Sequence, residues 1–215
     1  NPKGGSGKST LATHLAAYAA QRGVAVMLGD LDRQKSSQLW LRLRAEHAAA
    51  TQITHWACDL PSLVRHTKGL TVIDTPGGLR EFEMARTLMA ADYVLMPVAD
   101  ALFDRQAAED CWALLRAHPR VQSGRLKVAA VGMRVDGGAN AESKLRAWAE
   151  RLDLPFVGVL RHTQTYVQCS EQGLTIFDLP ENKSQTDRAQ WRPVLDWLAP
   201  LWPVAEPVRE IAQKP

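Results

Sequence analysis

Lys3-Gly4-Gly5-Ser6-Gly7-Lys8-Ser9-Thr10 runs straight into a segment, Ser9 to Arg22, in which Leu11, Leu15, Tyr18 and Ala19 recur at helical spacing before Gly23 ends the pattern. Glycines let successive backbone N–H groups turn toward one point and let anionic oxygens approach closely. The first turn of the helix adds unpaired N–H groups and partial positive charge. Lys8 is placed to reach the β and γ phosphates of a nucleotide, and the Ser9 hydroxyl to meet Mg²⁺. Gly4, Gly5, Ser6, Gly7, Lys8, Ser9 and Thr10 therefore form the expected phosphate cradle.

Outward from this loop, short apolar runs alternate with helical patterns. Strands are expected at Val24–Leu28, Leu70–Ile73, within Ala90–Val98, at Leu126–Val131 and at Pro155–Leu160. Helices are expected over 60–68, 104–117, 141–152 and 186–199, with Pro193 comfortable only in a first turn. Strands of four to six residues alternating with longer helices mean βαβ crossovers. The expected fold is α/β, a three-layer sandwich with a mostly parallel central sheet flanked by helices. No repeat or low-complexity linker divides the chain, so residues 1–203 read as one domain and 204–215 as a polar, Pro-punctuated tail.

Composition narrows the function classes. Apolar residues are 46% and charged residues 23% of 215, a globular balance and not a disordered one. The net charge of +3 permits an anionic partner without demanding one, and with no polybasic tail a DNA surface has to be assembled by folding. Cys58, Cys111 and Cys169 form no CxxC pair, which suits a reducing cytoplasm. No run of 18 apolar residues points to a membrane span, and no signal peptide to secretion. His14, His47, His55, His66, His118 and His162 lack metal-ligand spacing.

The motif departs from the ordinary GxxxxGK loop, since Pro2 stands at the first glycine and a second lysine, Lys3, precedes Lys8 by five residues. In this it resembles the deviant Walker A ATPases, ParA and MinD among them, with signature KGGxGK[ST]. The resemblance extends over nearly the whole chain. Asp30-Leu31-Asp32-Arg33-Gln34 looks like the family's switch I, and Val72-Ile73-Asp74-Thr75-Pro76 like its Walker B and switch II. Val131-Gly132-Met133-Arg134-Val135-Asp136 sits where the family has a strand ending in N-R-V-D. Trp40 and a late segment, Arg161–Phe177, are most similar to small plasmid-type, ParF-like ParA proteins.

The resemblance implies a P-loop NTPase-like fold and an ATPase that uses ATP and Mg²⁺ and hydrolyses slowly without a partner. It implies a homodimer that sandwiches ATP, with Lys3 reaching across to the partner's nucleotide. Lys3, Lys8 and Asp32 become the expected catalytic set, with Asp32 orienting the attacking water. Ser9, Asp30 and Asp74 become the expected magnesium set. An aspartate after a strand also serves as an N-cap or turn residue, and that alternative stays open for Asp30 and Asp32. Gly77 and Gly78 allow switch II to move, or form an ordinary turn. Met133 stands where relatives carry the Asn that reads adenine, and a thioether cannot make that pair of hydrogen bonds. Arg33 replaces a switch I proline. The family's central first strand is expected ahead of Asn1.

The resemblance also implies a positioning cycle. The ATP dimer binds DNA non-specifically at the nucleoid, and a ParB-like or other adaptor stimulates hydrolysis and release of a plasmid, chromosome region or protein cargo. Arg161, Lys183, Arg188 and Arg192 fall where the DNA surface is expected, though each taken alone reads more readily as a solvated charge. Two alternatives stand beside this reading. A MinD-like membrane role would use Trp191, Leu195, Trp197, Leu198, Leu201 and Trp202, but the stretch lacks a basic face, so core packing and no stable membrane association are expected. A metabolic ATP-dependent enzyme of the same superfamily is the other.

Overall fold

The computed structural model describes residues 5–47, 50–56, 69–79, 81–136 and 138–202. Lys3, Gly4, Cys58, His66, the helix expected over 60–68 and the tail lie outside the described residues.

In chain order the elements are α1 (Lys8–Gln21), β1 (Val26–Asp30), α2 (Ser36–Ala45), β2 (Thr54–Trp56), β3 (Leu70–Asp74), α3 (Glu81–Ala90) and β4 (Tyr93–Val98). They continue with α4 (Leu102–Arg116), α5 (Pro119–Gln122), β5 (Lys127–Val135), α6 (Gly138–Arg151), β6 (Phe156–Arg161), α7 (Gln164–Glu171) and α8 (Glu181–Trp197), followed by a 3-10 turn at Ala199–Leu201. Every strand pairing is parallel: β2-β1-β3 forms one ladder and β4-β5-β6 another.

Parallel strands must be covered on both faces, and the packing shows which helices do it. Leu88 of α3, Trp112 and Leu115 of α4, and Leu145 and Trp148 of α6 bury against Met96, Val98, Val128 and Ala130. On the other face, Leu11 and Leu15 of α1 and Trp191, Val194 and Leu195 of α8 meet Val131, Met133 and Leu160. The alanines of α1 let it approach β1 closely, with Trp40 and Leu41 of α2 completing that corner. The result is the expected three-layer α/β arrangement with helices flanking parallel strands.

Among the described residues β3 pairs only with β1, and β4 only with β5. Their remaining edges line a common apolar space, with Leu70, Thr71, Ile73, Tyr93 and Leu95 on its walls. Among the described residues no strand lies there. β3 is accordingly half-buried along its first four residues, not fully buried as its apolar sequence suggests.

Two expectations about the last helix need correction. It starts at Glu181, five residues before the expected 186, and it runs through Pro193. Proline removes one N–H and crowds the preceding turn. Here Trp191, Val194 and Leu195 are buried on one side of it, and the Pro193 ring faces Gly158 of β6. Core packing outweighs the lost hydrogen bond.

Candidate nucleotide site

α1 begins without help from its own sequence. Gly7 is its N-cap, left-handed at φ 95°, with no side-chain cap and no acidic residue in the first turn. The terminal N–H groups are thus left for an external acceptor. The left-handed dihedral is what requires glycine at this position, and a Cβ there would also displace the terminal methyl of Met133, 2.6 Å away. Lys8 occupies the first helical position, where its charge opposes the helix dipole. Its Nζ donates to Ser6 Oγ at 3.3 Å. Burial pulls its pKa below the ordinary lysine value, while Asp74 and Asp32 pull it back up. A half-buried cation at a positive helix end is a placement that an anion would relieve.

The carboxylates approach from the neighbouring strand ends. Asp30 closes β1 and Asp74 closes β3, paired in register and both buried. Ser37 donates to Asp74 Oδ2 at 2.7 Å. Among the described residues Asp74 Oδ1 is buried and has no hydrogen-bond partner. Burial raises the Asp74 pKa, the Ser37 and Ser9 hydroxyls lower it, and the charges of Asp30 and Asp32 raise it again. An orphaned carboxylate oxygen beside Ser9 and Lys8 fits a hydrated divalent cation, which is how Mg²⁺ is usually held.

Asp30 does the turn work that its sequence left open. Its Oδ1 accepts from Asp32 N at 2.9 Å and its Oδ2 from Gln38 N at 3.1 Å. It ties the loop after β1 to the first turn of α2, and its remaining lone pairs are what it has to offer a metal's water shell. Asp32 accepts from Gln34 N at 2.9 Å in a local turn and is partly exposed. Lys35, at φ 53°, donates from Nζ to the Asp30 carbonyl at 2.8 Å. These contacts hold the segment between β1 and α2 around the two aspartates.

A buried network connects this loop to the end of the chain. Arg44 of α2 forks onto both oxygens of Asp178 at 2.9 Å and also donates to the carbonyls of Gly173 and Thr51. Burial would raise the Asp178 pKa, but hydrogen bonds from Arg44 and Thr175 outweigh it and hold the carboxyl below its usual range. Ile176 N–H donates to His14 Nε2, so the Nδ1–H is the donor to the Thr10 carbonyl at 2.8 Å. The His14 ring stacks on Trp191 with centroids 5.4 Å apart. Sequence reading did not single out Arg44, Asp178 or this role for His14. Their signal is sequence separation closed by folding, which no local pattern displays.

The four residues expected at a DNA surface divide into two kinds. Arg161 pairs with buried Asp187 at 2.7 Å, and Arg188 donates to Ser184 Oγ and to the carbonyls of Phe177 and Leu179. Lys183 and Arg192 are exposed on α8. Trp191, Leu195 and Leu198 are core residues, and Trp197 packs edge-on against Tyr93. Among the described residues no helix is long and apolar enough to cross a membrane, and no cluster of three or more His, Cys, Asp or Glu side chains is arranged to hold a metal ion.

Residues 1–176 match the family described as CobQ/CobB/MinD/ParA nucleotide binding domain. A Maintenance of carboxysome distribution protein A from Gloeobacter kilaueensis is 30% identical over 210 residues, covering 94% of this chain and 93% of that protein. A protein of the same description from Halothiobacillus neapolitanus is 26% identical over 186 residues, covering 83% of this chain and 85% of that protein. Among solved structures, an ATP complex of a McdA variant from Cyanothece superposes with a TM-score of 0.71 at 14% identity, covering 95% of each chain, which establishes the shared fold. With its uncapped glycine loop, half-buried lysine and paired strand-end aspartates, the chain belongs to the CobQ/CobB/MinD/ParA nucleotide-binding family and is a ParA-like P-loop ATPase.

Proposed function

We propose that the chain is a positioning ATPase whose ATP-bound dimer holds non-specific DNA at the nucleoid and is released when an adaptor protein stimulates hydrolysis. The observation that carries the nucleotide half of this reading is Asp74 Oδ1, buried beside Lys8 and Ser9 with no hydrogen-bond partner among the described residues. The resemblance of the whole chain to carboxysome-distribution proteins favours a protein assembly as cargo over a plasmid.

In this reading Gly5, Ser6 and Gly7 and the first amides of α1 receive the phosphates, with Lys8 as the principal cation and Thr10 at the inner end of the loop. Ser9 and Asp74, with Asp30 through water, hold Mg²⁺, which neutralises phosphate charge when bound. Asp32 orients the attacking water without taking its proton fully. Lys3 offsets charge on the partner's nucleotide, and Gly4 completes the cradle. Of the expected four, Lys183 and Arg192 are the pair turned to DNA phosphates, while Arg161 and Arg188 support that surface through their internal bonds.

The test is binding to random-sequence duplex DNA with ATP, ADP or no nucleotide, at two salt concentrations. ATP-dependent, salt-sensitive binding is expected. Equal binding in all three nucleotide states, or none in any, would remove the DNA cycle and leave the ATPase.

A further inference from the structure

Lys35 stands between the turn after β1 and the first turn of α2 with a left-handed backbone, at φ 53° and ψ 37°. Few residues other than glycine adopt that conformation, and those held in it gather at functional sites. Glycine would make the same turn without strain, so what a lysine adds is its side chain. The Nζ donates to the Asp30 carbonyl at 2.8 Å, across the mouth of the loop. The Lys35 N–H donates to the Asp32 carbonyl at 3.1 Å, and its own carbonyl accepts from Leu39 N–H at 2.9 Å. One residue thereby joins the end of β1, the turn and the start of α2. Asp32 lies inside the ring so closed, with Oδ1 accepting from Gln34 N–H and its own N–H donating to Asp30 Oδ1, both at 2.9 Å.

We propose that Lys35 is a positioning residue for ATP hydrolysis, its ammonium clamping the loop that carries Asp32 before nucleotide arrives. This rests on the reading of Asp32 as the residue that orients the attacking water. A group that orients water acts best when it is held in advance, because a misplacement of about 1 Å can cost about a hundredfold in rate. The bonds around Asp32 are local to its turn, and a turn tied only to itself can swing as a body. The Nζ bond ties the far end of the loop to Asp30, which the sheet holds through its pairing with Asp74 of β3. Lys8 and the uncapped amides of α1 serve the phosphates in the same reading, whereas the Lys35 amine is engaged by a backbone carbonyl.

The experiment compares Lys35→Gly, Lys35→Met and Lys35→Arg with the wild type and Asp32→Ala. Three quantities are read: phosphate release at varied MgATP, thermal melting, and hydrogen exchange of the 31–35 amides without nucleotide. Lys35→Gly relaxes the backbone and removes the amine, while Lys35→Met keeps the strain and removes the amine alone. Both should lose about tenfold or more in kcat with KM for ATP within about twofold, and their 31–35 amides should exchange faster than in wild type. The Tm of Lys35→Gly should stay within about 3 °C of wild type, which separates lost positioning from lost fold. Lys35→Arg should recover about half or more of the turnover, since a guanidinium donates to the same carbonyl. Full turnover in Lys35→Gly, no gain of Lys35→Arg over Lys35→Met, unchanged exchange at 31–35, or a KM that rises as much as kcat falls would each overturn the proposal. Undiminished turnover in Asp32→Ala would instead overturn the reading of Asp32 on which it rests.

Discussion

Asp30 and Asp74 are register partners at the C-terminal ends of neighbouring parallel strands, yet they are held in opposite ways. Both oxygens of Asp30 accept backbone N–H groups, whereas among the described residues Asp74 has the Ser37 hydroxyl on Oδ2 and no hydrogen-bond partner on Oδ1. The first organises the loop before α2; the second is the carboxylate proposed to hold a cation.

Asp74→Asn should therefore separate stability from metal use. The wild-type carboxylate has a raised pKa, so its ionised form weakens the fold as pH rises, and the neutral amide removes that cost. Thermal melts should show an unchanged or higher Tm without ligand and a loss of most of the stabilisation by MgATP. Undiminished stabilisation by MgATP would take Asp74 out of the metal set.

Lys8→Ala should abolish nucleotide binding, while Asp32→Ala should spare it and trap an ATP-bound dimer. Size-exclusion chromatography with light scattering reads both. A monomeric Asp32→Ala in ATP would show that this aspartate does not act in hydrolysis.

His14, one helical turn beyond Thr10, supplies a pH dependence of its own. Burial lowers its pKa from 6.5 to about 4, so the folded state keeps it neutral where the unfolded chain takes up a proton. Its contribution is present above pH 6.5 and is lost as pH falls toward 4, at most about 3 kcal/mol. Asp178, also lowered, acts in the same direction at the acid end. Urea denaturation at pH 7.5 and 5 should show a smaller difference for His14→Gln than for wild type; an equal difference would assign the dependence to other groups.

Arg44→Ala should cost about 3–5 kcal/mol, because it leaves Asp178 buried and unpaired. Arg44→Ala with Asp178→Asn should recover part of that loss in the same urea assay. An additive pair would mean that the two residues do not depend on each other.

Charge reversal at Lys183 and Arg192 should weaken DNA binding with the Tm unchanged, and reduce its salt dependence. Reversal at Arg161 or Arg188 should lower the Tm as well, since each is bonded internally. DNA affinity that survives the first pair would move the surface elsewhere.

The phosphate loop, α1 and the strand ending in Asp74 were legible because their information is local: glycine spacing, one helical period and one apolar run. α2, α3 and α7 were missed. α2 carries charged residues among its apolar ones, and α3 and α7 have weak or short periodicity. Pro193 misled for a related reason, since the rule against it is local and the packing of Trp191 and Val194 is not.

The sequence by itself determined that this is a parallel α/β nucleotide-binding chain, through motifs whose chemistry needs particular residue types at fixed spacing. It also marked Asp30, Asp32 and Asp74 as the carboxylates of interest. Only the tertiary structure decided which of them is satisfied and which is not, because hydrogen bonds across 37 residues, as between Ser37 and Asp74, have no signature in a linear pattern. The same holds for Lys35. A left-handed turn reads from sequence as glycine, so a lysine there has no signature, and its bond to the Asp30 carbonyl arises only when the loop closes over the end of β1.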